Sequence, residues 1–302
     1  MTTLAAERSL YLASLGALLL VSIPLGAATE SEWVEHQYAR SRIVASHEGV
    51  PQNADTLLYL GWEVILPDGW KTYWRTPGDA GRPASFDWRG STNLKAVEVL
   101  YPQPDRFEIF GLQTFGYEGS VVIPMRLYPE HPGLPINIEL STWFMACQDI
   151  CVPFEASYSL YLPATEMMKL SPYASKINQQ LARVPRTSLM SSAGLRLQTA
   201  RVRGQAGHQR LTVLVEGDKL LSGADVIIEA SEEFRFGLPQ KALLGDGRRA
   251  RFVIPIRSYL DNANLKGKPL TVTISDGWGM AIEQSIQLDV LGRVIETLAK
   301  SD

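Results

Sequence analysis

The chain has 302 residues, a formal net charge of -3, 45% hydrophobic residues and two cysteines. That balance supplies no basic field for nucleic acid and enough apolar residues for real cores. The four histidines, at 36, 47, 131 and 208, are scattered without metal-ligand spacing.

The chain opens with "MTTLAAERSLYLASLGALLLVSIPLGAATE". The apolar run from Leu10 to Leu25 falls short of the roughly 20 residues of a membrane span. Gly26 and Ala28 suit the small-residue positions of a signal-peptidase site, so residues 1–28 read as a cleaved export signal. An uncleaved N-terminal anchor is the alternative. Export implies a compartment where disulfides persist. The remaining length of about 270 residues suggests two domains.

From 34 to 165 the pattern is β. Runs at 56–66, 93–102, 120–129, 136–145 and 156–163 are rich in β-branched and aromatic residues and punctuated by Gly, Pro, Asn and Asp. Short strands at regular spacing without long helices predict an immunoglobulin-like sandwich. Five of the seven tryptophans, at 62, 70, 74, 88 and 143, lie in this region. Most aromatics of a sandwich are core. Trp70, Tyr73 and Trp74 sit in a Gly- and Pro-flanked stretch that reads as a surface loop.

"SPYASKINQQLARVP" breaks the β pattern, and a connecting helix is predicted over 170–186. Ser171 can cap it, Pro172 fits its first turn, and Ile177, Leu181 and Val184 recur at helical spacing. A second β region spans 193–292, with runs at 194–202, 210–217, 224–230, 250–258, 269–277 and 281–290. The fold class is therefore all-β, two immunoglobulin-like β-sandwich domains joined by a short helix. "SVVIPMRLYP" and "ARFVIPIRSY", one in each domain, look alike but are too short to establish a repeat. The tail after Val290 reads as a short helix or as frayed.

Both cysteines lie in "WFMACQDICVPFE" (143–155). In one continuous strand Cys147 and Cys151 would sit about 13 Å apart, and on a helix their Cβ atoms about 6 Å apart, too far to bond. A bridge therefore requires a turn at "CQDIC", which Gln148 and Asp149 suit. Closing so small a ring removes only about 2 kcal/mol of unfolded-state entropy. The pair is poorly placed as a staple. Dithiol–disulfide exchange, a structural disulfide and metal binding remain open, the last because two thiolates with Met145 suit Cu(I). Hydrolytic motifs and phosphate loops are absent from the sequence.

The ordered stretches "GWKTYWRTPGDAG", "FDWRGSTNL", "YPQPDRFEIFGLQTFGYEG" and "ACQDICVPFEASYSL" resemble the N-terminal periplasmic domain of the thiol:disulfide interchange protein DsbD. The resemblance is closest to the suppressor-of-copper-sensitivity branch and covers Thr56 to Pro163. It implies an immunoglobulin-like fold with a reactive cysteine pair, acting as a protein-disulfide reductase or redox relay component. Its partners would be a membrane electron transporter of the DsbD type and periplasmic thioredoxin-fold proteins. The associated roles are cytochrome c maturation and copper tolerance. No cofactor and no metal is implied. Cys151, matching the family's second cysteine, would form the mixed disulfide, and Cys147 would resolve it. A cap loop would shield the pair, falling by chain order on Phe107, Glu108, Phe110 and Gly111. Two departures stand out: the cysteines are closer than in the best-known members, and Phe154 replaces the second of two prolines. The family's membrane-spanning and thioredoxin-like domains have no counterpart here, so electrons would pass to and from separate proteins.

Asp149 within the ring and Glu155 beside it disfavour a thiolate, and no Lys, Arg or His lies between 143 and 155 to oppose them. The reduced pair is therefore expected to be a sluggish nucleophile until a partner docks. Two other functions compete: a non-catalytic periplasmic binding or scaffold protein with a structural disulfide, and a Cu(I)-binding copper-tolerance protein.

Overall fold

The computed structural model describes residues 28–53, 55–109, 111–187 and 194–298. The export-signal reading falls on residues 1–28, nearly all of them outside this range. Among the described residues no helix is long and apolar enough to cross a membrane.

The first domain contains β1 (Val34–His36), β2 (Ala39–Ala45), β3 (Val50–Pro51), β4 (Leu58–Ile65), β5 (Lys71–Gly78), β6 (Ser85–Asp87) and β7 (Leu94–Val99). It continues with β8 (Asp105–Ile109), β9 (Leu112–Glu118), β10 (Ser120–Pro129), β11 (Ile136–Cys147), β12 (Cys151–Leu162) and β13 (Ala164–Thr165). One sheet runs β1-β2-β4-β10-β7 and faces a second, β12-β11-β5-β9-β8, with β6 on β11; β3 and β13 form a small parallel pair. Strict alternation along β12 buries Phe154, Ala156, Tyr158, Leu160 and Leu162 and exposes the residues between them, so the strand has one core face and one solvent face. Between the sheets Trp62, Phe144 and Ile138 are fully buried. The Trp62 indole donates to the Tyr158 hydroxyl at 3.1 Å, which donates to Ser41 Oγ at 2.7 Å, so these three polar groups of the core are partnered.

Helix α1 (Ala174–Leu181) links the domains. Ser171 does not cap it, since the N-cap residue is Tyr173, without a side-chain cap. Instead Ser171 Oγ donates to the Ala45 carbonyl and accepts the Tyr173 amide at 3.0 Å, fixing the approach of the chain. Ile177 packs between Val44 and Val122 on the outer face of the first sheet. Gly61 makes room for it: a Cβ there would lie 2.6 Å from Val122 Cγ1 and 3.1 Å from Ile177 Cγ1.

The second domain contains β14 (Arg186–Thr187), β15 (Leu195–Arg203), β16 (Arg210–Gly217), β17 (Asp225–Glu229) and β18 (Phe234–Phe236). Then come β19 (Gln240–Leu244), β20 (Arg249–Ser258), β21 (Pro269–Ser275), β22 (Ala281–Leu288) and β23 (Val294–Leu298). Its sheets run β14-β22-β21-β17, with β23 on β22, and β15-β16-β20-β18, with β19 on β20. The tail is thus neither helical nor frayed over its described part: Val294–Leu298 is a strand hydrogen-bonded to β22. The two look-alike decapeptides lie on β10 and, but for the final tyrosine, on β20, each an inner strand of its sheet. Over the described residues the fold is all-β with one short helix and two sandwiches, as the strand spacing predicts.

The domains also touch directly. Ile227 of β17 is buried with the first-domain core. The Arg75 guanidinium, stacked 4.2 Å from the Trp74 ring, donates to Glu229 at 3.0 and 2.5 Å and to Glu283.

Candidate functional site

β11 and β12 pair in register from Ile136↔Leu162 to Cys147↔Cys151, leaving Gln148, Asp149 and Ile150 as the connecting loop. The Gln148 amide donates to the Ile150 carbonyl at 3.0 Å and closes this turn. Adjacent antiparallel residues stand close enough for a bridge. The two cysteines, 4.1 Å apart at Cα, are joined as a disulfide across the end of the hairpin. The turn that the four-residue separation demands is therefore present.

The two sulfurs differ in environment. Cys147 is fully buried, clustered with Tyr73 and Ile109 and covered in part by Met145. Cys151 is exposed. The Tyr73 hydroxyl donates to Cys147 Sγ at 3.0 Å and lies 3.6 Å from Cys151 Sγ. Burial pushes the Tyr73 phenol above its ordinary value, so it stays protonated and a donor near neutrality.

Tyr73 reaches this position because β5 is a strand. Thr72 and Trp74 face inward; Lys71 and Tyr73 face the outer surface that carries Cys147. The "WKTYW" stretch is thus not a surface loop, and Trp70 and Trp74 belong to the core. Trp70 stacks on Tyr38 with ring centroids 4.1 Å apart. The chain after β5 folds back over the site. Gly81, at φ +92, lies on the Tyr73 ring so closely that a Cβ would sit 2.1 Å from Cζ. Arg82 lies 4.8 Å from the Trp143 ring.

The β8–β9 hairpin covers the other side. Its strands pair from Asp105↔Gly116 to Ile109↔Leu112. Phe107 is half-buried, with the Lys71 ammonium 5.1 Å from its ring centre. Glu108 is exposed, and Gly111 takes φ +73 in the turn. Phe110 lies outside the described residues. Ile109, buried in the cluster of Cys147, is the residue that chain-order reasoning missed. Strand periodicity from Phe107 points to it, since residues two apart share a face.

Asp149 is exposed in the loop and Glu155 is exposed on β12 opposite Trp143. The local sequence window holds no cation, but the fold supplies one. Lys71 pairs with Cys147 in register, donates to the Gly69 carbonyl at 2.9 Å and stands 3.9 Å from Glu118. Among the described residues no group of three or more His, Cys, Asp or Glu side chains is arranged to hold a metal.

Residues 41–163 match the family model of the thiol:disulfide interchange protein DsbD, N-terminal. Residues 183–290 match a domain of unknown function. In three dimensions the chain is similar to the crystal structure of the N-terminal periplasmic domain of ScsB from Proteus mirabilis. The two share 20% identity at a TM-score of 0.67, over 86% of this chain and 98% of that one. At this identity the likeness establishes the fold. The family match on 41–163 bears out the resemblance carried by the four aromatic and cysteine-bearing stretches. No curated protein matches the chain in sequence.

Proposed function

We propose that the chain performs thiol–disulfide exchange in the periplasm, relaying electron pairs between a membrane electron transporter of the DsbD type and thioredoxin-fold proteins. The observation that carries this reading is the asymmetry of the bridge: one cysteine exposed at a hairpin end, its partner buried beneath a tyrosine donor.

The chemistry follows from that asymmetry. Exchange needs a thiolate approaching an accessible sulfur in line with the S–S bond. Of the two cysteines only Cys151 is exposed. A reductant thiolate attacking Cys151 Sγ forms the mixed disulfide, and the bond to Cys147 breaks. Cys147 leaves with the electron pair as a thiolate that accepts a hydrogen bond from Tyr73. A second reductant thiolate then attacks the reductant sulfur of the mixed disulfide and releases Cys151 as a thiolate. Two electrons and, after protonation, two protons have entered the pair. Delivery runs the same steps in reverse. Cys151 attacks a partner disulfide, and the Cys147 thiolate attacks Cys151 Sγ, freeing the reduced partner. Phe107 and Ile109 act as the cap that keeps adventitious oxidants off Cys147. Glu108 and Gly111 shape the cap's outer edge. Asp149, in the connecting loop, disfavours premature ionisation of Cys151, whereas Glu155, about 13 Å along the strand, stands too far off to add to it.

Redox titration against glutathione tests this function. A relay has a potential within reach of periplasmic carriers, whereas a structural disulfide lies below about -300 mV. A value in that lower range overturns the proposal.

A further inference from the structure

The cap hairpin has two faces, and the second domain holds the one turned away from the sulfurs. Along β8, Phe107 and Ile109 face Lys71, Tyr73 and Cys147. Arg106, between Asp105 and Phe107, points the other way. Its guanidinium donates Nε to Asp225 Oδ2 at 2.9 Å and Nη2 to Oδ1 at 3.0 Å. Nη2 also reaches the Val226 carbonyl at 2.7 Å, and Nη1 donates to Gln113 Oε1. The same guanidinium lies 4.8 Å from the Phe115 ring. Gln113, on the returning strand, donates Nε2 to the Phe236 carbonyl at 3.1 Å. Its own carbonyl accepts the Asp79 amide at 2.8 Å, tying in the loop that lies on Tyr73.

The hydrogen bonds that Arg75, Arg106 and Gln113 make to the second domain start from β5, β8 and β9, the elements that cover the cysteine pair. A fork-shaped, charge-assisted pair between Arg and carboxylate fixes orientation as well as distance. Here it fixes the hairpin against β17, an edge strand of the second domain.

We infer that Arg106 and Asp225 are positioning residues for the exchange reaction: the second domain latches the cap hairpin over the disulfide, and release of this latch opens the sulfurs to attack. The inference deepens the proposed function by giving the second domain a part in access to the same pair. Neither side chain touches a sulfur. The latch therefore acts on the rates of reduction and oxidation together and leaves the equilibrium between the two states in place.

Stopped-flow reduction of the oxidised full-length chain by dithiothreitol tests this. Asp225→Ala and the isosteric Asp225→Asn should be reduced at least fivefold faster than the parent. Reoxidation of their reduced forms by glutathione disulfide should speed up by a similar factor, with the glutathione equilibrium constant within twofold. Amide exchange over residues 105–118 should quicken in the same variants. Val213→Ala, in the second-domain core and away from the hairpin, supplies the control for general loosening and should be reduced at the parental rate. Parental reduction rates in both Asp225 variants, or equal acceleration in Val213→Ala, would overturn the latch. If Asp225→Ala fails to fold, Asp225→Asn decides. Dithiothreitol needs no biological partner, so a chain that fails as a relay still reports on the latch.

Discussion

The Tyr73 hydroxyl donates to Cys147 Sγ at 3.0 Å and stands 3.6 Å from Cys151 Sγ. One buried phenol thus serves both atoms of the bond that breaks and forms. A hydrogen bond to an ionised acceptor is worth about 1.5–3 kcal/mol, a tenfold or larger effect on ionisation. Tyr73→Phe keeps the ring and removes the donor. It should lower the thiolate fraction of reduced Cys147 at least tenfold at fixed pH near neutrality. Thiolate absorbance across a pH series reads this directly, and an unchanged titration would show that the phenol only fills space.

Gly81 sets how that ring is held. Alanine there would place its Cβ 2.1 Å from Tyr73 Cζ on a backbone at φ +92. Overpacking and left-handed strain each cost about 1–3 kcal/mol, so Gly81→Ala should lose about 2 kcal/mol or more. Urea midpoints at unchanged m-value measure it. A loss below about 0.5 kcal/mol, the range of ordinary surface substitutions, would mean that the loop lifts off the ring without cost.

How far the sequence reaches depends on the separation of the interacting residues. β10 and β16 match their predicted limits because apolar alternation and turn residues are local signals. The "CQDIC" turn is legible for a similar reason, since bond geometry leaves little else. Tyr73 is harder to find: Gly69, Pro77 and Gly78 suggest a loop, yet the alternation in "WKTYW" already assigns Lys71 and Tyr73 to one face. Lys71 beside Cys147 and Arg106 on Asp225 depend on pairings across 76 and 119 residues. No periodicity within a segment carries such information.

Stability should fall with acid in two windows. Burial holds the His47 imidazole below its ordinary value of 6.5. The unfolded chain therefore takes up that proton first, and stability declines as pH drops below 6.5. Burial alone would raise the Glu63 carboxyl, but hydrogen bonds and charge from Lys176 and Arg42 outweigh it and leave the group below its ordinary 4.5. Its contribution is complete above 4.5 and is lost as pH falls below that value towards the folded pKa. Urea midpoints across pH should show both declines. Glu63→Gln should shrink the lower one, and an unchanged decline would place the linkage on Asp87, Glu233 and Asp289, which are also held below their ordinary values.

The last expectation separates the roles of the two cysteines. Cys147 is fully buried beneath Tyr73 and Ile109, whereas Cys151 opens to solvent at the start of β12. A buried sulfur cannot meet a protein partner in line, but it can attack a neighbour already bonded to one. Cys147→Ala should therefore trap a mixed disulfide between Cys151 and a thioredoxin-fold protein, visible on a non-reducing gel, and Cys151→Ala should trap none. Phe107→Ala should speed oxidation of the reduced pair by small disulfides, because the ring screens it beside Lys71. Replacing both cysteines by serine removes a small ring and should cost at most about 2 kcal/mol. Failure of the double variant to fold would mark the bridge as a staple. A trapped adduct on Cys147 alone would reverse the roles assigned here while leaving the exchange chemistry standing.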